Sequence, residues 1–149
     1  LYNYAGQPWM TQRRVRQIMD VWYGDGPLGY CGDEDYGEMA SWYVLSAMGF
    51  YTVAPGRPVY DIGCPLFEKS TIDLGGGKTF TVEAPDVSAQ NKYIQSATLN
   101  GRPIDRPWFT HEELQQGGTL FLQMGPRPNR SWGANPEKMP FTDHDAPKN

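Results

Sequence analysis

Four carboxylates fall within six residues at Asp33-Glu34-Asp35-Tyr36-Gly37-Glu38, and they are the residues of this chain best suited to chemistry. Like charges this close repel unless something positive, or something reacting, sits among them. In an extended loop, side chains at i and i+2 point the same way, so Asp33 and Asp35 are expected to face one pocket. Two carboxylates held together hold their protons unequally, and one can then serve as a base that activates water. Glu34 is expected to point the other way, exposed or paired with an arginine. Glu38 opens the next helix, where its charge suits the helix dipole; a contact to a sugar hydroxyl or a metal is its alternative. Trp22 and Tyr23 precede the acidic loop, and Trp42 and Tyr43 follow it. Rings that stack on the C–H faces of a pyranose, beside carboxylates that bind hydroxyls or move protons, describe a carbohydrate site. The other reading stays open: a calcium loop or solvated turn beside aromatics that simply pack in a core. An EF-hand is excluded, because no glutamate closes a twelve-residue loop.

Elsewhere the chemistry-bearing residues are isolated. His111 and His144 have no partner at metal-ligand spacing, and Asp143-His144-Asp145 sits in a polar tail. Gly75-Gly76-Gly77-Lys78-Thr79 lacks the spacing of a phosphate loop and lies between strands. Cys31 and Cys64 form neither a Cys-x-x-Cys pair nor a metal pattern, so two free thiols are expected. No Gly-x-Ser-x-Gly elbow is present.

The elements that must position the acidic loop fall into two regimes. From Thr11 to Tyr23, Val15, Ile18, Met19 and Trp22 recur at helical spacing, with Arg13, Arg14, Arg16 and Gln17 between them. Thr11 can cap this helix and Pro8 suits the residues just before it, while Gly24-Asp25-Gly26-Pro27 ends it. Glu38 to Met48 reads as a second helix, apolar nearly all round, with Gly49 as its C-terminal cap. Such a helix expects burial on most sides, as in the inner ring of a helical barrel. Beyond Phe50 the chain turns extended. Val59 to Ile62, Ser70 to Leu74, Thr79 to Ala84, Tyr93 to Leu99 and Thr119 to Met124 read as strands. Gly75-Gly76-Gly77 and Asn100-Gly101 are turns, the latter a hairpin signal. The expected fold is therefore mixed α and β: a helical segment over 1–50, an antiparallel β-sandwich-like region over 51–126, and an irregular tail over 127–149 that can wrap a neighbouring surface.

At 149 residues the chain fits one domain with a real core. Its formal net charge of −4 argues against nucleic acid and anionic membranes as partners. No apolar run is long enough to span a bilayer. The chain opens mid-pattern at Leu1-Tyr2-Asn3-Tyr4, which suggests a piece of a longer protein.

Several strings, in order, carry a resemblance. They begin with Tyr2-Asn3-Tyr4-Ala5-Gly6-Gln7-Pro8-Trp9, Arg14-Val15-Arg16-Gln17-Ile18-Met19 and Gly32-Asp33-Glu34-Asp35-Tyr36-Gly37-Glu38-Met39-Ala40-Ser41-Trp42-Tyr43. They continue through Tyr60-Asp61-Ile62-Gly63-Cys64-Pro65-Leu66-Phe67 and Tyr93-Ile94-Gln95-Ser96-Ala97-Thr98-Leu99-Asn100-Gly101 to Met124-Gly125-Pro126. Together these resemble the C-terminal end of the catalytic domain of the glycoside hydrolase family 92 α-mannosidases. The resemblance implies a β-sandwich joined to an (α/α)6 barrel whose end is the helical segment here. It implies a secreted, periplasmic or cell-surface, calcium-dependent, inverting exo-α-mannosidase that removes terminal, often α-1,2-linked, mannose from glycans. Carried over, Asp35 is the general base and Asp33 assists it or holds the water. Trp42, Tyr36, Glu38 and Trp9 are the expected sugar-contacting residues, and the calcium ligands are not located. The family's general acid comes from an upstream barrel segment that nothing in this chain matches, which implies that the isolated chain is inert and works with the remainder of a parent enzyme. The alternative is a non-catalytic C-terminal accessory module that binds glycan; a related (α/α)6 glycosidase or phosphorylase is a third.

Overall fold

The computed structural model describes residues 1–140, so His144 lies outside the described residues. Helix α1 runs Pro8–Trp22 and α2 Glu38–Met48. Among the described residues eight strands follow: β1 Phe50–Tyr51, β2 Val59–Ile62, β3 Lys69–Gly75, β4 Lys78–Glu83, β5 Tyr93–Leu99, β6 Arg102–Ile104, β7 Trp108–Thr110 and β8 Gly118–Gly125. A short helix α3, His111–Gln116, lies between β7 and β8, and a 3-10 turn, Pro136–Lys138, sits in the tail.

Helix α1 starts three residues earlier than its apolar spacing suggests. Pro8 occupies its first turn, where the missing N–H costs nothing, and Gln7 precedes it without a side-chain cap. Thr11 is therefore inside the helix rather than capping it. Helix α2 has the expected bounds, and Gly49 ends it in the left-handed conformation (φ 104°), with its N–H donated to the carbonyls of Leu45 and Ser46. An added Cβ at Gly49 would meet Pro65 Cβ at 3.1 Å. Gly49→Ala thus combines a left-handed penalty of about 1–2 kcal/mol with crowding against Pro65. The expected result is a melting midpoint lower by about 5 °C, read by thermal denaturation; an unchanged midpoint would contradict this account of the cap.

The strands form two sheets, one ordered β1-β2-β7 and one ordered β3-β4-β8-β5-β6. The first is antiparallel, but in the second β4 and β8 run parallel, pairing Phe80 with Gly118 through Glu83 with Phe121. The purely antiparallel expectation fails at this pair. Alternation reveals which face a strand buries but not the direction of its neighbour, and the parallel pair needs the long crossover through β5, β6, β7 and α3. The hairpin at Asn100-Gly101 forms as expected, both residues left-handed, joining β5 to β6.

One core lies between the two sheets. Phe50, Ile62 and Phe109 from the first meet Phe80, Val82, Ile94, Leu120 and Leu122 from the second. Phe80 and Phe109 stack across the gap at 5.3 Å. The tail is not peripheral to this core, because Trp132 belongs to it. Helix α1 is joined to the sheet by buried Gln12, whose Oε1 accepts from Ile94 N at 3.0 Å. Within this chain α2 is only partly covered: Ser46 and Ala47 are buried while Val44 stays exposed.

Buried Asp61 on β2 anchors the N-terminal turns. Asn3 Nδ2 donates to its Oδ1 at 3.1 Å, and Tyr4 OH to its Oδ2 at 3.0 Å. Desolvation raises the Asp61 pKa, and these two hydrogen bonds oppose the rise. Burial, then the charge of Asp61, pushes the Tyr4 phenol up. Both cysteines are free thiols, Cys31 exposed and Cys64 buried, and burial pushes the Cys64 thiol up to about 11.

Candidate active-site loop

The acidic loop joins the end of α1 to the start of α2. It opens on a closed turn in which Gly24 N donates to Gly29 O at 3.0 Å and Gly29 N to Gly26 O at 2.9 Å. No side chain fits at Gly29, where a Cβ would lie 2.3 Å from Gly24 O. At the other end, Asp35 and Tyr36 both have φ 57° and Gly37 has φ 96°. Three successive left-handed residues are rare, and a tyrosine among them is strained.

This turn changes the expected geometry of the aspartate pair. The loop is not extended through Asp35, so the alternation argument that aims Asp33 and Asp35 the same way does not apply there. Asp33, Asp35, Tyr36 and Glu38 are all exposed, with Tyr36 projecting fully at the apex. Glu38 opens α2 as expected and complements its dipole.

Glu34 departs from expectation. It neither faces solvent freely nor pairs with an arginine. Its carboxylate accepts from Gly37 N through Oε2 and from Ala40 N through Oε1, the latter at 3.0 Å. Its backbone carbonyl takes Met39 N at 3.3 Å, and the carbonyl of Asp35 takes Glu38 N at 3.3 Å. The first intrahelical bond then follows, from Ser41 N to Gly37 O at 2.9 Å. The orphan donors at the start of α2 are thus answered almost wholly by Glu34. Glycine at the N-cap has no side chain to do this, which is the sequence signal that a nearby acid must.

Under the loop lies a cluster of rings. Tyr23 stacks on Trp42 at 5.5 Å, packs against Tyr43 at 4.8 Å, and meets Tyr30 edge-on at 6.0 Å. Its hydroxyl donates to Met39 O at 3.3 Å, and burial raises its pKa. Trp42 is half-buried, one helical turn beyond Glu38, with one face against Tyr23. Tyr23, Tyr30 and Tyr43 line an open depression of about 340 Å3 beside the loop. A smaller apolar cavity of about 160 Å3 lies between Trp42, Val15, Ile18 and Phe50. Trp9 is not brought to this cluster: it sits at the opposite end of α1, with the Arg130 guanidinium 5.1 Å from its ring centroid.

Among the described residues no three His, Cys, Asp or Glu side chains converge on a possible metal position. Both Glu34 oxygens are already engaged by backbone amides. Among the described residues no helix is long and apolar enough to cross a membrane.

The sequence pattern of the glycosyl hydrolase family 92 catalytic domain matches residues 1–126. The chain belongs to this family. An inverting family 92 mannosidase from Bacteroides thetaiotaomicron shares 51% identity over 95% of this chain and 19% of its own, with a TM-score of 0.88. A second family 92 α-mannosidase from that organism, also solved in complex with mannoimidazole, shares 33% identity over the same 95% and 19%, with a TM-score of 0.89. An uncharacterized secreted glycosidase from Arthroderma benhamiae is 38% identical over 143 residues, covering 94% of this chain and 18% of that protein. The chain thus spans about a fifth of the length of these family 92 relatives.

Proposed function

We propose that this chain is the base-bearing C-terminal part of a secreted, inverting exo-α-mannosidase acting on terminal, α-1,2-linked mannose. The observation that carries the reading is the 51% identity, over nearly the whole chain, to a mannosidase described as inverting. The site is consistent with it: exposed carboxylates on a fixed turn beside aromatic rings, without a second catalytic machinery in the described residues. In an inverting reaction a base takes a proton from water as the water oxygen bonds to the anomeric carbon. A separate acid protonates the departing glycosidic oxygen from the opposite side. Asp35 is assigned as that base, with Asp33 orienting the water. Tyr36, Glu38 and Trp42 border the sugar; Trp9, at the far end of α1, would have to act on a more distant part of the glycan. The acid, and most ligands of any calcium ion, would come from the rest of the parent enzyme.

The test uses the longest natural polypeptide that contains this chain, with α-1,2-mannobiose as substrate. Mannose release is expected from it and not from residues 1–149 alone, and the first product seen by NMR is expected to be the β-anomer. An α-anomer would replace inversion by retention. Absence of release from the longer polypeptide, with mannose oligomers still bound by residues 1–149, would instead favour a glycan-binding accessory module.

A further inference from the structure

We propose that Glu34 is a positioning residue for Asp35, clasping the left-handed turn that presents the base; this rests on the reading of Asp35 as the base. Asp35 and Tyr36 are both left-handed; Tyr36 is strained there and, fully exposed, has no packing to hold it. Strained residues of this kind persist only where their surroundings over-determine them. One side chain ties this turn to α2. The two Glu34 oxygens reach across the turn, one to Gly37 N, which closes it, and one to Ala40 N, inside the first turn of α2. The backbone carbonyls of Glu34 and Asp35 take the two amides between. Asp35 is thereby fixed from both sides to a helix end, without any side-chain contact of its own being required. A glutamate is needed because its two acceptors must span amides three residues apart. Glutamine has one acceptor and turns an N–H toward a donor. Aspartate keeps the charge and both oxygens but is one methylene short.

The clasp is distinct from an ordinary helix cap because its loss should move the reaction more than the fold. The experiment uses the full parent polypeptide, carrying Glu34→Gln, Glu34→Asp or Asp35→Asn, with kcat and KM measured on α-1,2-mannobiose beside the thermal midpoint. A displacement of the base by about 1 Å is expected to lower kcat about 100-fold in Glu34→Gln. KM should stay within about threefold, because general-base positioning acts at the transition state. Glu34→Asp is expected to lose kcat to a similar extent, since reach and not charge is at issue. Should Glu34→Gln fail to fold, the milder Glu34→Asp carries the same comparison. Full kcat with only a lowered midpoint in both variants would make Glu34 a structural cap and overturn the proposal. So would a normal kcat in Glu34→Asp beside a dead Glu34→Gln, which would assign charge instead. A raised KM at constant kcat would make Glu34 a substrate contact and overturn it too. Activity surviving in Asp35→Asn would sink the base assignment and the proposal together, whereas a dead Asp35→Asn with intact Glu34 variants sinks the proposal alone.

Discussion

Asp35→Asn in the parent polypeptide is expected to lower kcat for mannose release by about 10²- to 10⁴-fold, the range for losing a general base. The substitution isolates chemistry from structure unusually well. Asparagine tolerates the left-handed region about as readily as aspartate, so the φ of 57° at this position does not oppose it. The side chain is exposed, so no buried partner is lost. What disappears is the acceptor for the water proton as the anomeric bond forms. Substrate affinity should change little, and a tightly bound mannose-shaped inhibitor should still bind. Asp33→Asn is expected to have a smaller effect, since orienting the water leaves the proton acceptor in place. An Asp35→Asn enzyme with unchanged kcat would remove this loop from the reaction and return it to structure. Equal loss in both variants would make the pair a single acid–base unit.

The largest expected effect on stability lies far from that loop, at Trp132. The family pattern ends at residue 126, yet the relatives' overlap of 95% extends beyond it, and the structure shows why. Trp132 is buried in the shared core and donates its Nε1–H to Ile104 O at 3.0 Å. Around it the tail is tied down repeatedly. Asn129 Nδ2 donates to Gln95 O at 2.8 Å, and Trp108 Nε1 to Lys138 O at 2.7 Å. Lys138 pairs with Asp105, which lowers the pKa of that exposed aspartate. Trp132→Ala opens a cavity in this core and should cost about 3–5 kcal/mol, a large fraction of the 5–15 kcal/mol typical of a domain. In chemical denaturation of residues 1–149 the midpoint should fall accordingly, with Trp132→Phe losing much less because it keeps the bulk and forfeits only the N–H bond. A chain cut after Pro126 should be less stable still. Wild-type stability in Trp132→Ala would mean that the tail is an appendage rather than part of the fold.

The helices flanking the acidic loop were more legible than the sheet. The bounds of α2 were legible to the residue, because its apolar run lies between an acidic start and a glycine whose left-handed conformation ends it. The strands at 59–62 and 93–99 were equally plain, as short runs rich in β-branched and aromatic residues bounded by turn residues. Strands β1, β6 and β7 escaped because two or three residues carry no period, and only pairing defines them. Helix α3 was missed although Thr110 and Glu113 spell a capping box, with the Glu113 side chain accepting from Thr110 N at 2.8 Å. Arg106 adds an ion pair to that glutamate. Beyond its own burial, which opposes the change, Arg106 and Thr110 hold its pKa down.

Residue types and order by themselves determined the acidic loop, the two helices flanking it, the turns, and the family, because these rest on local preferences and on strings that tolerate little variation. Tertiary structure alone decided three matters. It made β4 and β8 parallel, since strand direction depends on a partner many residues away. It placed Trp132 in the core, since burial belongs to whichever surface a tail meets. And it turned Glu34 inward onto the amides of α2, since the left-handed turn at Asp35, Tyr36 and Gly37 breaks the alternation on which its outward orientation depended.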